Sequence, residues 1–145
     1  MKPRVKFGLL VGIAALIVTA CANLAFAYAT PIIGIIAGLV AGFLAARGED
    51  PASRSAGAGA GAVSALIAAL FLTVGELLGG VLALFMFNPP LTPDQLSDPT
   101  YAIGYAIGGV SFPLSQACIG FALCIVAGAV AGALASTPRG GSAKG

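Results

Sequence analysis

The stretch AGAVSALIAALFLTVGELLGGVLALFMF, residues 60–87, contains one ionisable side chain, Glu76, among residues that are otherwise apolar, small or hydroxyl-bearing. A helix needs roughly 20 such residues to cross the ~30 Å hydrocarbon core of a bilayer. The stretch therefore predicts a transmembrane helix. It also raises the question of what a carboxyl group does in the middle of that helix.

The whole chain has the same apolar character. Of its 145 residues, 59% are hydrophobic and 8% are charged, and the mean hydropathy is +1.03. A soluble domain of this length needs many more polar groups to cover its surface. The net charge of +2 and the absence of interleaved basic and aromatic residues argue against a nucleic-acid partner. The expected surroundings of most of the chain are the lipid bilayer.

Three further apolar runs have spanning length, at residues 7–28, 31–46 and 101–135. The first two flank a tight turn at residues 29–31, because the residue before Pro31 is disfavoured in a helix. Pro113 lacks a backbone N–H, so a break is expected near residues 111–113. The fourth span is then 110–135, with 101–109 as a separate interfacial or re-entrant piece, or as part of the fourth helix. The sequence predicts an all-α, four-helix integral membrane bundle in one domain.

The basic residues set the orientation. Lysines and arginines precede the first span, lie between the second and third, and follow the fourth, so four crossings place all seven on one side. Cytoplasmic loops carry such an excess. Both termini and the tail 136–145 are predicted to be cytoplasmic, the segment 47–55, including Gly48, to be a cytoplasmic loop, and residues 88–100 to be an external loop.

The N-terminal run also resembles a signal sequence. Cys21 follows a lipoprotein-like segment, and residues 25–27 resemble a signal-peptidase site. The residues after Cys21 remain apolar, and the charge pattern needs this run as a crossing. An uncleaved first helix is the expectation, with a removed signal as the alternative.

Two segments share the pattern AGxVAGxLA, at residues 37–45 and 127–135. They indicate two helical hairpins repeated in parallel, although Ala- and Gly-rich segments also match by chance. Small residues four apart let helices approach closely in lipid. Helix-packing faces are therefore predicted at two sets of glycines, whose partner helices belong either to the same chain or to another: Gly34, Gly38 and Gly42, and Gly120, Gly128 and Gly132.

Glu76 lies on a stripe of small residues along its helix, which predicts that it faces other helices. Asn23 and Gln116 lie on comparable stripes in the outer half of the membrane, so the three form a predicted intramembrane polar cluster. No basic residue lies within a span, and burial without a cation favours a neutral carboxyl group. Three roles stay open: a structural hydrogen bond, binding of a transported proton or cation, and pairing with a basic group on a partner subunit.

Several chemistries lack their usual residues. The chain has no histidine, and Cys21, Cys118 and Cys124 form no metal-binding spacing. No group of polar residues suggests catalysis. We therefore expect no enzymatic activity, no cofactor and no metal.

The AGxxAG repeats and four spans resemble a group of small, functionally uncharacterised four-helix prokaryotic membrane proteins. That resemblance implies a multi-pass protein of the prokaryotic plasma (inner) membrane. The expected function is that of a structural or accessory component that self-associates as a homo-oligomer or joins other membrane subunits. The alternative is a small channel, or a proton- or cation-coupled transporter, that uses Glu76.

Overall fold

The computed structural model describes residues 1–26, 28–87 and 90–136, which contain five helices and no strand. The helices are α1 (Pro3–Ala25), α2 (Ala29–Glu49), α3 (Arg54–Phe87), α4 (Pro93–Ser97) and α5 (Pro99–Ala135). Helices α1, α2, α3 and α5 are each long and apolar enough to cross a membrane. The all-α prediction is confirmed, and the chain is a multi-pass membrane protein. Apart from Ser136, the predicted cytoplasmic tail lies outside the described residues.

The fourth membrane helix is longer than the predicted span 110–135. α5 is continuous from Pro99 to Ala135, so residues 101–109 are its first part and not a separate re-entrant or interfacial piece. The helix begins early because Asp98 caps it, accepting hydrogen bonds from the backbone N–H groups of Thr100 and Tyr101 at 2.9 and 3.4 Å. Pro113 is accommodated within the helix, where its ring lies over Gly80 of α3.

The second membrane helix also extends past both predicted ends. α2 begins at Ala29, so Thr30 and Pro31 belong to its first turn and not to the connecting turn. A proline is tolerated there, since the first backbone N–H groups of a helix have no partner within it. At the other end Gly48 is helical, and the chain leaves α2 at Asp50, whose φ is 45°.

The short helix α4 lies within the predicted external loop. Thr92 and Gln95 form its capping box, each side chain accepting from the backbone N–H of the other. Two residues of the predicted loop, 88 and 89, lie outside the described part of the chain.

The directions of the long helices agree with four crossings. Along α1, Gly8 packs on Ser64 and Ala20 on Gly79, so α1 and α3 run parallel. Helices α2 and α5 also run parallel, because Gly34, Gly38 and Gly42 of α2 pack in that order on Gly120, Cys124 and Gly128 of α5. Among the described residues no Cα atom of α1 lies within 8 Å of a Cα atom of α5, although each of these helices approaches both α2 and α3 that closely. The bundle is therefore a rhombus whose short diagonal joins α2 and α3.

Small side chains fill the interior. Ala41, Ala45, Ala65, Ala68 and Ala69 are fully buried. Leu72 and Val11 are the large aliphatic residues buried among them. Many other large aliphatic residues point outward, where lipid can solvate them; examples are Leu70, Val74, Leu78, Val81 and Ile36. Because lipid gives no hydrophobic drive for helix association, the close contact of small residues is what holds such a bundle together.

The described basic residues, together with Glu49 and Asp50, lie at one end of the bundle, whereas Asp94 and Asp98 lie at the other. The guanidinium Nε of Arg4 lies 3.4 Å from the carboxylate of Glu49, linking the start of α1 to the end of α2. Arg47 lies over the ring of Phe43, 4.8 Å from its centroid. This end is the one predicted to face the cytoplasm.

The predicted orientation can be tested by labelling single cysteines introduced at Ser97 and Ser53, after alanine has replaced the three native cysteines. Both serines are exposed and lie at opposite ends of the bundle. An impermeant thiol reagent should label position 97 on intact cells and position 53 only after permeabilisation. Labelling of position 53 on intact cells would show that the predicted orientation is wrong.

Candidate functional site

Glu76 lies in α3 with 2% of its surface exposed. The Asn23 side-chain nitrogen, from α1, donates a hydrogen bond to Glu76 Oε2 over 2.7 Å. The Thr30 hydroxyl, from α2, donates to the same oxygen. One carboxyl oxygen therefore joins three helices.

The structure brings two of the three predicted cluster residues together and adds one that the sequence analysis missed. Asn23 contacts Glu76 as the small stripes suggested. Thr30 was assigned to a turn, but it is fully buried in the first turn of α2, beside Gly120. The signal available in the sequence was Pro31, since proline near a helix start is compatible with a helix that already includes the preceding residue.

Gln116 does not join the hydrogen bonds at Glu76. It is buried in α5 with 9% exposed, and its Oε1 has no hydrogen-bond partner among the described residues. Among the described residues, three other buried side-chain oxygens also have no hydrogen-bond partner: Thr19 Oγ1, Asn23 Oδ1 and Ser64 Oγ. Buried polar atoms of this kind are uncommon and call for an explanation such as a bound water or ion.

The predicted glycine faces meet helices of the same chain. A Cβ added at Gly34 would lie 2.6 Å from the carbonyl oxygen of Gly120, and one at Gly42 would overlap the carbonyl of Gly128. Gly132 packs in the same way on α3, against Gly57 and Gly61. The carbonyls of these helices occupy the space that side chains would need, so the α2–α3–α5 contact is closed toward the end of the bundle that carries Arg47 and Arg54.

A cavity of about 440 Å³ opens at the opposite end, where α1 and α5 stay apart. Its polar lining comes from Glu76 and Asn23. The remaining lining is apolar and includes three aromatic rings, those of Phe26, Phe87 and Phe112. This cavity, which we call the outer cavity, is the candidate functional site.

Glu76 faces no basic side chain in the described part of the chain. The outer cavity has no lysine or arginine in its lining, and the described basic residues lie at the far end of the bundle. Within the described ranges no group of three or more His, Cys, Asp or Glu side chains lies close enough to hold a metal ion. Cys21 and Cys118 are exposed on the surface of the chain, and only Cys124 is buried.

Comparison with protein-family models, with curated proteins and with solved structures gives no match to this chain.

Proposed function

We propose that this protein is a non-enzymatic structural or accessory component of a membrane, which self-associates through the first part of α5. The observation that supports the proposal is a pair of glycines in α5, Gly104 and Gly108, that no neighbouring helix packs against. They lie four residues apart, and an added Cβ at either would meet nothing within 4 Å.

The environment of this pair differs from that of almost every other glycine. Of the glycines in the described part of the chain, only Gly59, Gly104 and Gly108 have such open space; the others contact a neighbouring helix. A glycine inside a helix costs about 1 kcal/mol relative to alanine unless a close contact compensates. The open space at Gly104 therefore suits a helix that the single chain does not contain, and Gly108, which also lines the outer cavity, extends this face to the rim of that cavity.

The residues around the pair are suited to a partner in an apolar setting. Ile103 and Ile107 are 57% and 62% exposed beside it, and Tyr101 is half-exposed. A second copy offers the same groove and the same flanking side chains, so two α5 helices can pack symmetrically with their backbones close together. Self-association is thus the simplest use of this face, and another membrane subunit with small residues four apart is the alternative.

The test is Gly104→Leu, measured as the protein mass in a mild detergent by light scattering. The wild-type chain should be an oligomer, and the variant should have the mass of one chain with an unchanged melting temperature, because an added Cβ at Gly104 meets no atom of its own chain within 4 Å. Gly59→Leu is the matched control, since that glycine is equally open but lies near the N-terminal end of α3, at the other end of the bundle. A wild-type monomer, or an oligomer that survives Gly104→Leu, would contradict self-association at this face.

A second candidate function is transport of a proton or a cation. It is favoured by the position of Glu76, a buried carboxyl group in the lining of a cavity that opens at one end of the bundle. A transporter would have to open the glycine contacts between the cavity and the predicted cytoplasmic end, and these contacts leave no room for an added Cβ. For this reason we favour the structural role over transport.

A further inference from the structure

We propose that the outer cavity is a binding site for an organic ammonium ion with an apolar body, whose charged group pairs with Glu76. The proposal concerns the cavity within one chain. Gly108 of the proposed self-association face also lines this cavity, so the binding test is made on the protein whatever its oligomeric state.

The polar end of the outer cavity contains hydrogen-bond acceptors that have no donor among the described residues. Both hydrogen bonds to Glu76 from the described residues go to Oε2, and none goes to Oε1. Asn23 is 9% exposed and lines the same cavity, and its Oδ1 also accepts no hydrogen bond. An ammonium group provides N–H donors for these oxygens and the positive charge that the cavity lining lacks.

The remainder of the cavity suits a hydrocarbon body. Aromatic faces attract cations and pack against apolar groups, and Phe112 is held in place by an edge-on contact with Tyr28, with ring centroids 5.4 Å apart. A volume of about 440 Å³ lies within the range of roughly 300–1,000 Å³ that small-molecule sites occupy.

An inorganic cation fits this lining less well. Ca²⁺ takes about 6–8 oxygen ligands, and Mg²⁺ needs an octahedral set. The side chains of the outer cavity supply oxygens from Glu76 and Asn23, while leucines, alanines, glycines and phenylalanines make up nearly all of the rest. The ligand class that matches one carboxylate within an apolar cleft is a lipophilic amine.

The ligand would enter from the end of the bundle that carries α4. The cavity lies between the last turn of α1 and the middle of α5, and the glycine contacts close the bundle on the other side. With the predicted orientation, this entrance faces away from the cytoplasm.

The test measures binding of 2-phenylethylammonium to the full-length protein in detergent by saturation-transfer NMR, with the uncharged 2-phenylethanol as the reference probe. The wild-type protein should bind the amine saturably and more tightly than the alcohol. Glu76→Gln should weaken amine binding at least tenfold, because an amide keeps the shape of the side chain but not its charge. Asp94→Asn, which removes an exposed carboxylate at the same end, should leave binding unchanged.

A second variant locates the site without altering the hydrogen bonds at Glu76. Ala83 lines the cavity and is half-buried, so Ala83→Phe should fill part of the space and also weaken amine binding at least tenfold. Melting curves establish that each variant is folded. Three results would overturn the proposal: no saturable amine binding by the wild type, equally tight binding of the alcohol, or unchanged binding in a folded Glu76→Gln or Ala83→Phe variant.

Discussion

The Gly38→Leu variant is expected to lose roughly 3 kcal/mol or more of folding stability, because overpacking at a backbone-to-backbone contact leaves no flexible side chain to yield. A Cβ at Gly38 would overlap the Cys124 carbonyl oxygen and lie 3.0 Å from Cys124 Cα. The whole of α2 would have to move away from α5 to admit it. Thermal unfolding of the purified protein in detergent, followed by circular dichroism, measures the loss.

Gly59→Leu is the control for this prediction. Both substitutions add the same side chain to a glycine in a membrane helix, but Gly59 has no atom within 4 Å of an added Cβ. Its stability should change by no more than about 0.5 kcal/mol, as is usual for surface substitutions. Gly48 would be a poor control, although the sequence suggested a loop there, because its Cβ would lie 2.9 Å from both Phe7 and Pro3. Equal melting temperatures for Gly38→Leu and Gly59→Leu would show that the glycine contacts do not hold the bundle together.

Hydropathy alone predicted the fold class and the four membrane helices, because a bilayer requires long apolar segments with internally satisfied backbone groups. It did not predict where the helices end. Pro113 suggested a break, yet α5 passes through it with the proline ring seated on Gly80. Such compensation depends on a residue of another helix, which local sequence rules do not include.

The candidate site was also predictable from the sequence only in part. The stripe of small residues around Glu76 predicted correctly that this side chain is buried, and Asn23 is its hydrogen-bond partner. Successive residues of a helix differ by about 100° in direction, so which polar group reaches Glu76 depends on how each helix is rotated. That rotation selected Thr30 and left Gln116 without a hydrogen bond to Glu76. The outer cavity was likewise not predictable, because it exists only where α1 and α5 separate.

Glu76→Leu is expected to destabilise the protein by roughly 1–3 kcal/mol, the usual penalty for leaving a buried donor without its acceptor. The Asn23 amide and the Thr30 hydroxyl both donate to the carboxyl group that this substitution removes. Thr30 lies in the first turn of α2, where no preceding helical turn offers its hydroxyl a backbone carbonyl, so both donors would lose their acceptor. Thermal unfolding in detergent again provides the measurement, and an unchanged melting temperature would show that these hydrogen bonds contribute nothing to the bundle.

Glu76→Gln separates the structural role of this residue from a transport role. The glutamine side-chain oxygen can accept from both Asn23 and Thr30, so the melting temperature should remain close to that of the wild type, with a stability change below about 1 kcal/mol. An amide can neither release a proton nor carry the negative charge that attracts a cation. Flux of protons or cations into vesicles containing the protein should therefore be equally absent in the wild type and the variant if Glu76 serves packing and ligand binding alone. If the wild type shows flux that the equally stable Gln variant has lost, Glu76 is a transport carboxylate, and the glycine contacts beneath it must open during the transport cycle.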